Sequence, residues 1–260
     1  MVCEYRPGND DPTRTRITIA GGHILVPFDV STRTGSFELV KLMINSLLSR
    51  HNAQFSAIDI KKFYMDTPME NCEYVRVKLE DIPHEFIEEY HLLENKRHGW
   101  VYFEVFRGCY GLLQSVKLAN NPLRTKLEDA HYYETATTPG LWRHKWRSIQ
   151  FVLIVDDFGN EYVRNQDADH LASVLKNHHD ISQDWEHKQF TCIELDWNYE
   201  TKYCDRTCRL SMKMYSKHLL VKLNNSMPRK PQLFSHKIRK VKYGSKTQLS
   251  HKDEKIQASQ

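Results

Sequence analysis

The sequence predicts a fold of the α+β class, in which helices pack on one face of a β-sheet. The unbroken apolar run over residues 151–155 is typical of a strand that is buried on both faces. Residues 36–50 carry apolar side chains at helical spacing, which indicates an amphipathic helix. Helical and strand-like segments then intermix without the regular alternation that a parallel sheet requires, so an α+β arrangement is favoured.

The composition is that of a globular protein. A chain of 260 residues can bury a sizeable core as one large or two ordinary domains. No apolar stretch approaches the roughly 18–20 residues that a membrane span needs, and the N-terminus lacks the apolar core of a signal peptide. We therefore expect an intracellular protein, cytoplasmic or nuclear, which is not secreted and does not contact a membrane.

The cysteines are scattered, which indicates reduced thiols. Cys204 and Cys208, with His187 nearby, leave a structural zinc site as an alternative, disfavoured because no matching ligand pair follows them. The full set is Cys3, Cys72, Cys109, Cys192, Cys204 and Cys208.

In the first half of the chain, residues 1–34 are rich in turn-forming residues, with one β-like run at 16–20. Ser36 is the predicted N-cap of a helix that runs to about Arg50. A strand then ends at Asp59. The apolar stripe of the helix consists of Phe37, Val40, Ile44, Leu47 and Leu48.

Residues 83–130 are predicted to contain a short acidic helix from Glu85 to Tyr90, a strand over 100–106 and a turn over 108–111. A longer helix covers 114–130. Pro122 lies inside it and should cost about 3 kcal/mol if the helix is continuous, because proline removes a hydrogen bond and clashes with the preceding turn.

In the second half, Asp156 and Asp157 are expected to turn the chain back as a hairpin through residues 158–163. Asp167 is the predicted cap of a helix with Leu171, Val174 and Leu175 on its buried face. Strands are predicted near 190–195 and 209–212, and a basic helix at about 215–223.

Two neighbouring carboxylates at the end of a buried strand repel each other and lose solvation, which is unfavourable unless a cation neutralises them. A polar turn that caps a core strand is the simpler interpretation of Asp156 and Asp157. Asp59, however, interrupts a second strand-like segment. Carboxylates on two neighbouring strand ends can hold a pair of hard divalent ions, as nucleotidyl transfer requires.

The net charge of +4 is small, but basic residues concentrate after residue 212. Such a run is either a solvated, flexible face or an electrostatic track for a phosphate backbone. Charge alone does not separate the two. The residues are Lys213, Lys217, Lys222, Arg229, Lys230, Lys237, Arg239, Lys240, Lys242 and Lys246.

An ordered series of motifs lies at 57–64, 73–78, 108–114, 155–157, 190–195 and 210–215. In order and spacing, these segments resemble the reverse transcriptase domain of copia-type LTR retrotransposon polyproteins over residues 10–225. The resemblance implies a right-hand polymerase fold with partial fingers, a palm whose antiparallel sheet is backed by helices, and the start of a thumb from about residue 210. Residues 226–260 would be a basic, connection-like tail.

The implied activity is RNA-directed DNA polymerisation, by two-metal nucleotidyl transfer with Mg²⁺ or Mn²⁺. The implied partners are an RNA or DNA template-primer and dNTPs. Asp59, Asp156 and Asp157 would be the catalytic residues and metal ligands.

The resemblance also implies four substrate-binding residues. Tyr64 would be a steric gate against the ribose 2′-hydroxyl, with an ordinary core tyrosine as the alternative. Gln114 would line the nucleotide pocket, and Arg14 or Arg16 would contact the triphosphate.

Several residues depart from the family pattern. Leu113 stands where the family has proline, Cys192 and Met214 where it has glycine, and Pro122 falls inside a helix. RNase H and integrase regions are missing. We therefore expect a truncated, partly degenerate copy, and the alternative function is a catalytically inactive remnant that at most binds nucleic acid. A metal-dependent phosphohydrolase is disfavoured, because the fourteen histidines show no ligand spacing.

Overall fold

The computed structural model describes residues 2–5, 13–16, 18–24, 26–186, 188–191, 193–199, 206–212 and 219–220. For residues 2–5, 13–16 and 23 it describes the backbone alone. One compact unit spans Met1–Met212, and a second begins at Lys213. The tail at 226–260 and all but two residues of the predicted basic helix lie outside the described residues.

The described residues form a mixed α+β protein with antiparallel sheets and four α-helices, which confirms the predicted class. The helices are α1 (Phe37–Ser49), α2 (His84–Glu89), α3 (Leu113–Asp129) and α4 (Asn165–Lys176). The strands are β1 (Val2–Tyr5), β2 (Thr13–Arg16), β3 (Gln54–Ile60), β4 (Pro68–Lys78), β5 (Trp100–Arg107), β6 (Tyr132–Glu134), β7 (Leu141–His144), β8 (Ile149–Ile154), β9 (Asp157–Tyr162), β10 (Ile181–Asp184), β11 (Gln189–Phe190), β12 (Ile193–Asn198) and β13 (Thr207–Ser211).

The main sheet has six strands in the order β10-β3-β9-β8-β7-β6. A three-stranded sheet combines β11, β12 and β13, and two separate two-stranded sheets are formed by β1 with β2 and by β4 with β5. The predicted hairpin is present as β8 and β9, joined by a two-residue turn. No helix among the described residues is long and apolar enough to cross a lipid bilayer.

Helices cover both faces of the main sheet, so the prediction of helices on one face was wrong. Helices α3 and α4 pack on one face, where Ile58 and Ile60 of β3 are buried. Helix α1 covers the other face together with β11 and β12, over Phe55 and Ala57. Successive residues of a strand point to opposite faces, and β3 is apolar on both, so each face needs its own cover.

The cap of α1 was predicted correctly, because the Ser36 hydroxyl accepts a hydrogen bond from the Leu39 backbone N–H at 3.2 Å. The predicted stripe was wrong at Phe37, which is 42% exposed. Leu39 and Met43 are buried instead, beside the correctly predicted residues Val40, Ile44 and Leu47.

Two further predictions concern α3 and α4. Helix α3 is continuous through Pro122, whose side chain is exposed to solvent. The N-cap of α4 is Arg164, so the prediction that Asp167 caps this helix was wrong. Asp167 lies in the first turn and is fully buried, because its carboxylate pairs with the guanidinium groups of Arg147 and Arg164.

Candidate active site

Two of the predicted catalytic carboxylates face each other across adjacent strands. Asp59 of β3 lies directly opposite Asp157 of β9 in the antiparallel register. Residues paired in this way share a face of the sheet, and their Cβ atoms are about 4.5–5.5 Å apart. Like charges at directly opposite positions destabilise a sheet. This pairing brings together acids that are far apart in the sequence.

The third carboxylate, Asp156, belongs to the turn between β8 and β9. Strand β8 ends at Ile154, and the residue in register with Asp59 is Asp157 of β9, so Asp156 lies in the turn and not on a strand. The backbone carbonyl of Asp156 accepts a hydrogen bond from the N–H of Ile60 at 3.1 Å. This bond ties the turn to the end of β3, immediately after Asp59.

The turn itself is strained. Val155 has a φ of +59°, while Asp156 does not have a positive φ. A positive φ at the first residue alone is the pattern of a type II′ turn, which normally has glycine there. A β-branched residue in this region costs on the order of 1–3 kcal/mol, and such strain concentrates at functional sites. The surrounding hairpin therefore holds Val155 in an unfavourable backbone conformation, which fixes the position of the turn that carries Asp156.

The electrostatics of the site are dominated by the closeness of the three aspartates. Burial, followed by the charges of Asp156 and Asp59, raises the pKa of Asp157 to about 7. Among the described residues, no ion pair joins Asp59 or Asp157 to a cationic side chain. The aspartates therefore act as one electrostatic unit, and a proton on Asp157 relieves part of their repulsion near neutral pH.

Tyr64 lies close to these carboxylates, in the segment that follows β3. Its ring meets the Tyr110 ring edge-on, with the centroids 5.2 Å apart. Burial, followed by the charges of Asp156 and Tyr110, raises the pKa of Tyr64 to about 12, so the phenol stays neutral. A Cβ at Gly108 would lie 2.5 Å from the backbone oxygen of Tyr64, so glycine is needed for this close approach. Tyr64 is half-buried, at the edge of the core.

Gln114 lies in the first turn of α3 and is only 5% exposed. Its amide nitrogen donates a hydrogen bond to a carboxylate oxygen of Glu73, on β4, at 2.8 Å. An ionised carboxylate can only accept, so this contact fixes the orientation of the amide. The carbonyl oxygen of Gln114 is then buried without a partner among the described residues. The sequence carried no signal for the role of Glu73.

Arg14 and Arg16 both lie on β2, where their backbones pair with Glu4 and Val2 of β1. Their side chains are outside the described part of the structure, so the choice between them remains a prediction. The chain just after β2 does reach the site region, because the N–H of Ile19 donates to the carbonyl of Tyr110 at 2.8 Å. Cys192 and Met214, at which the sequence departs from the family pattern, also lie outside the described residues.

No cluster of three or more histidine, cysteine, aspartate or glutamate side chains forms a ready metal site in the described part of the chain. The donor chemistry of Asp59, Asp156 and Asp157 nevertheless fits a hard divalent cation, because carboxylates are its preferred ligands and the three acids lie close enough to raise the pKa of Asp157. The alternative zinc site cannot be placed, since His187 and Cys204 are outside the described residues. Cys72 and Cys208 are free thiols.

Comparison with protein-family models gives no match for this chain, and comparison with curated proteins gives none either. The resemblance to reverse transcriptases therefore remains a prediction from the sequence motifs.

Proposed function

We propose that this chain is an RNA-directed DNA polymerase domain of retrotransposon type. The observation that carries the proposal is the register of β3 and β9, which places Asp59 opposite Asp157 and beside the turn residue Asp156. In the proposed right-hand fold, the six-stranded sheet with α3 and α4 is the palm, and the hairpin of β4 and β5 belongs to the fingers. The neighbouring tyrosines and the turn before α3 support a nucleotide site next to these acids.

In this proposal Asp59, Asp156 and Asp157 hold divalent cations. Bound there, Mg²⁺ or Mn²⁺ would supply positive charge that acidifies the primer 3′-hydroxyl and stabilises the pyrophosphate leaving group. Asp157 must release its proton before it can bind a cation. Because its pKa is about 7, activity should rise with pH through the neutral range.

Tyr64 is proposed to select the sugar by shape. Its phenol is neutral and its ring is held by Tyr110, so a ribose 2′-hydroxyl would be excluded sterically. Gln114 is proposed to line the nucleotide pocket, and Arg14 or Arg16 to contact the triphosphate.

The test is primer extension by the purified full chain on poly(rA)–oligo(dT), with Mg²⁺ or Mn²⁺. Asp156→Asn should abolish incorporation without unfolding the protein, because the amide keeps the shape of the side chain and loses its charge. Asp196→Asn, an exposed aspartate on β12, is the matched control and should incorporate normally. Incorporation by Asp156→Asn at close to the wild-type rate would exclude the proposed role.

A second variant, Tyr64→Ala, tests the selectivity. If the ring excludes the 2′-hydroxyl, the ratio of dNTP to rNTP incorporation should fall. If Tyr64 is only a core residue, its truncation should lower both activities alike, and the ratio should stay unchanged.

The inactive remnant is the second candidate, and the lack of a ready metal site among the described residues favours it. It predicts a folded chain that retains a template-primer in a binding assay and shows no extension with either cation. The same purified protein therefore decides between the two functions.

A further inference from the structure

The hairpin of β4 and β5 has one face that is unusually rich in exposed aromatic side chains. The two strands form a sheet of their own. The register pairs Tyr74 with Glu104, Arg76 with Tyr102 and Lys78 with Trp100, so these side chains share a face. Phe106 joins them by strand alternation. We call this surface the outer face: Tyr74, Arg76, Lys78, Trp100, Tyr102, Glu104 and Phe106.

Three of the four aromatic rings of the outer face are exposed to solvent, and the fourth, Trp100, is half-buried. Tyr74 is 69% exposed, Tyr102 is 52% exposed and Phe106 is 63% exposed. The opposite face carries Val75, Val77 and Val101, which are half-buried or buried. The opposite face also carries Phe103, in register with Val75, so Tyr74, Tyr102 and Phe106 are the rings of the hairpin that do not contribute to its core.

Cations alternate with these rings. The guanidinium of Arg76 lies over the Trp100 ring, 4.7 Å from its centroid, and the Lys78 ammonium lies 5.9 Å from the same centroid. A groove that includes Tyr74 and Tyr102 is also lined by Lys96, Arg97, Asn95 and Glu94. The acids on or beside this surface are Glu94, Glu104 and Glu80, the last of which pairs with Lys78 at 3.0 Å.

We propose that the outer face binds single-stranded nucleic acid. Its bases would stack on Tyr74, Tyr102 and Phe106, and its phosphates would lie against Arg76, Lys96 and Arg97. Exposed rings interleaved with cations are the arrangement by which proteins hold single strands without reading their sequence, with arginine adding a cation–π contribution.

The spacing of the rings favours a single strand over a duplex. Tyr74 lies opposite Glu104 and is therefore the diagonal neighbour of both Tyr102 and Phe106. Diagonal neighbours are about 7–8 Å apart, roughly twice the 3.4 Å rise per nucleotide along a duplex strand. Only an extended strand with unstacked bases can place its bases at that interval. The inference goes beyond the proposed polymerase, since stacking on the outer face requires neither the aspartates nor a metal ion.

A folded protein partner fits this surface less well. An apolar partner would bury Arg76, Lys96 and Arg97 and remove their hydration, which is unfavourable without matching acids. A nucleic-acid strand supplies a negative charge for each cation and a flat ring for each aromatic side chain. Charge complementarity therefore favours a nucleic-acid strand over a protein partner.

The experiment is a fluorescence anisotropy titration of labelled oligo(dT) and oligo(rU) with the full chain, without divalent ions. The double variant Tyr102→Ala/Phe106→Ala should bind at least about tenfold more weakly, since each stacked ring contributes about 1–3 kcal/mol. Tyr133→Ala/Phe28→Ala removes two aromatic side chains that are also exposed, away from the outer face, and should bind as wild type. Arg76→Gln should weaken binding and flatten its salt dependence, because one phosphate contact is lost.

Circular dichroism of each variant checks that it is folded, so that a loss of binding is not caused by unfolding. Arg76→Gln removes no aromatic ring and therefore tests the same surface independently. Equal affinities for the Tyr102/Phe106 variant and its control would overturn the inference. An absence of oligonucleotide binding by the wild type would also overturn the inference. A concentration-dependent dimer that the Tyr102/Phe106 variant abolishes would overturn it too, because the outer face would then be an interface between copies of the chain.

Asp156→Asn separates this inference from the polymerase proposal. It should bind oligonucleotides as wild type does while failing to extend a primer. A chain that never extends a primer but loses binding with Tyr102→Ala/Phe106→Ala would support the outer face and reject the polymerase.

Discussion

Acidic side chains are fully or partly buried in two regions around the main sheet, and among the described residues their charge is balanced by arginine in only one of them. Asp167 and Glu161 are fully buried, Glu134 is nearly so, and each is paired with at least one arginine. Asp59 and Asp157 have no such partner among the described residues. The arginine contacts are Arg147 and Arg164 to Asp167, Arg50 to Glu161, and Arg33 and Arg124 to Glu134.

The contrast is clearest between Asp167 and Asp157. Burial works to raise the pKa of Asp167, but hydrogen bonds from Arg164 and Arg147 outweigh it and leave this pKa below its usual value. Burial and neighbouring aspartates instead raise the pKa of Asp157 to about 7. A buried acid with an arginine partner belongs to the scaffold. A half-buried acid set among other acids retains a repulsion that a proton or a cation relieves, which is typical of a functional site.

The largest effect that tests this contrast is expected for Asp167→Asn. Removal of one partner from a buried ion pair costs about 3–5 kcal/mol, and solvent access to both arginines reduces this to about 2–4 kcal/mol here. The free energy of unfolding at pH 7, from urea denaturation, measures it. Asp169→Asn, on the exposed side of the same helix, should change stability little.

The pH dependence of that effect has a defined sign. The folded-state pKa of Asp167 is lowered, so its stabilising contribution is present above the unfolded value near 3.8 and is lost as the pH falls through the folded value. The deficit of Asp167→Asn should therefore persist down to about pH 4 and shrink below it. A deficit that is constant down to pH 2 would show that lost packing, not lost charge, is responsible.

The second prediction is that Asp157→Asn stabilises the protein at pH 8 in the presence of EDTA. The folded-state pKa is raised, so the contribution of this group is favourable below the unfolded value near 3.8 and is lost as the pH rises to about 7. One pKa unit corresponds to about 1.4 kcal/mol, and partial exposure of the group reduces the total to on the order of 2 kcal/mol. Thermal unfolding at pH 5 and pH 8 measures the difference.

The advantage of Asp157→Asn should be larger at pH 8 than at pH 5, opposite in sign to the effect at Asp167. Asp196→Asn is again the exposed control. A variant that is less stable than wild type at pH 8 would mean that Asp157 has a compensating partner, and the contrast between the two regions would fail.

The smallest expected effect is stabilisation by a divalent cation. A ligand at ten times its Kd raises the free energy of unfolding by about 1.4 kcal/mol if it binds only the folded state. Mg²⁺ or Mn²⁺ at pH 8 should therefore raise the melting temperature of the wild type and leave that of Asp157→Asn nearly unchanged. Equal shifts in both proteins would place the cation elsewhere.

Much of the local structure could be predicted because its determinants lie within a few residues of one another. Ser36 caps α1 through the N–H three residues ahead, and the apolar run of β8 followed by two acids predicted the hairpin. The carboxylates were also identified from the sequence, as acids interrupting apolar strands. The assignment failed at Asp167, because its N-cap pattern looks the same whether the side chain caps a helix or pairs with Arg147.

The sequence by itself determined the four helices, the central strands β3, β5, β8 and β9, and which acids are candidates for a site, whereas strands β1, β6, β7 and β10 were not predicted. The tertiary structure alone decided that Asp157, and not Asp156, stands opposite Asp59, that both faces of the sheet are covered, and that Glu73 orients Gln114. The physical reason is the distance along the chain over which each interaction acts. Periodicity and capping act over about four residues, whereas strand register, and with it the pairing or isolation of each buried charge, is set by contacts between segments far apart in the chain.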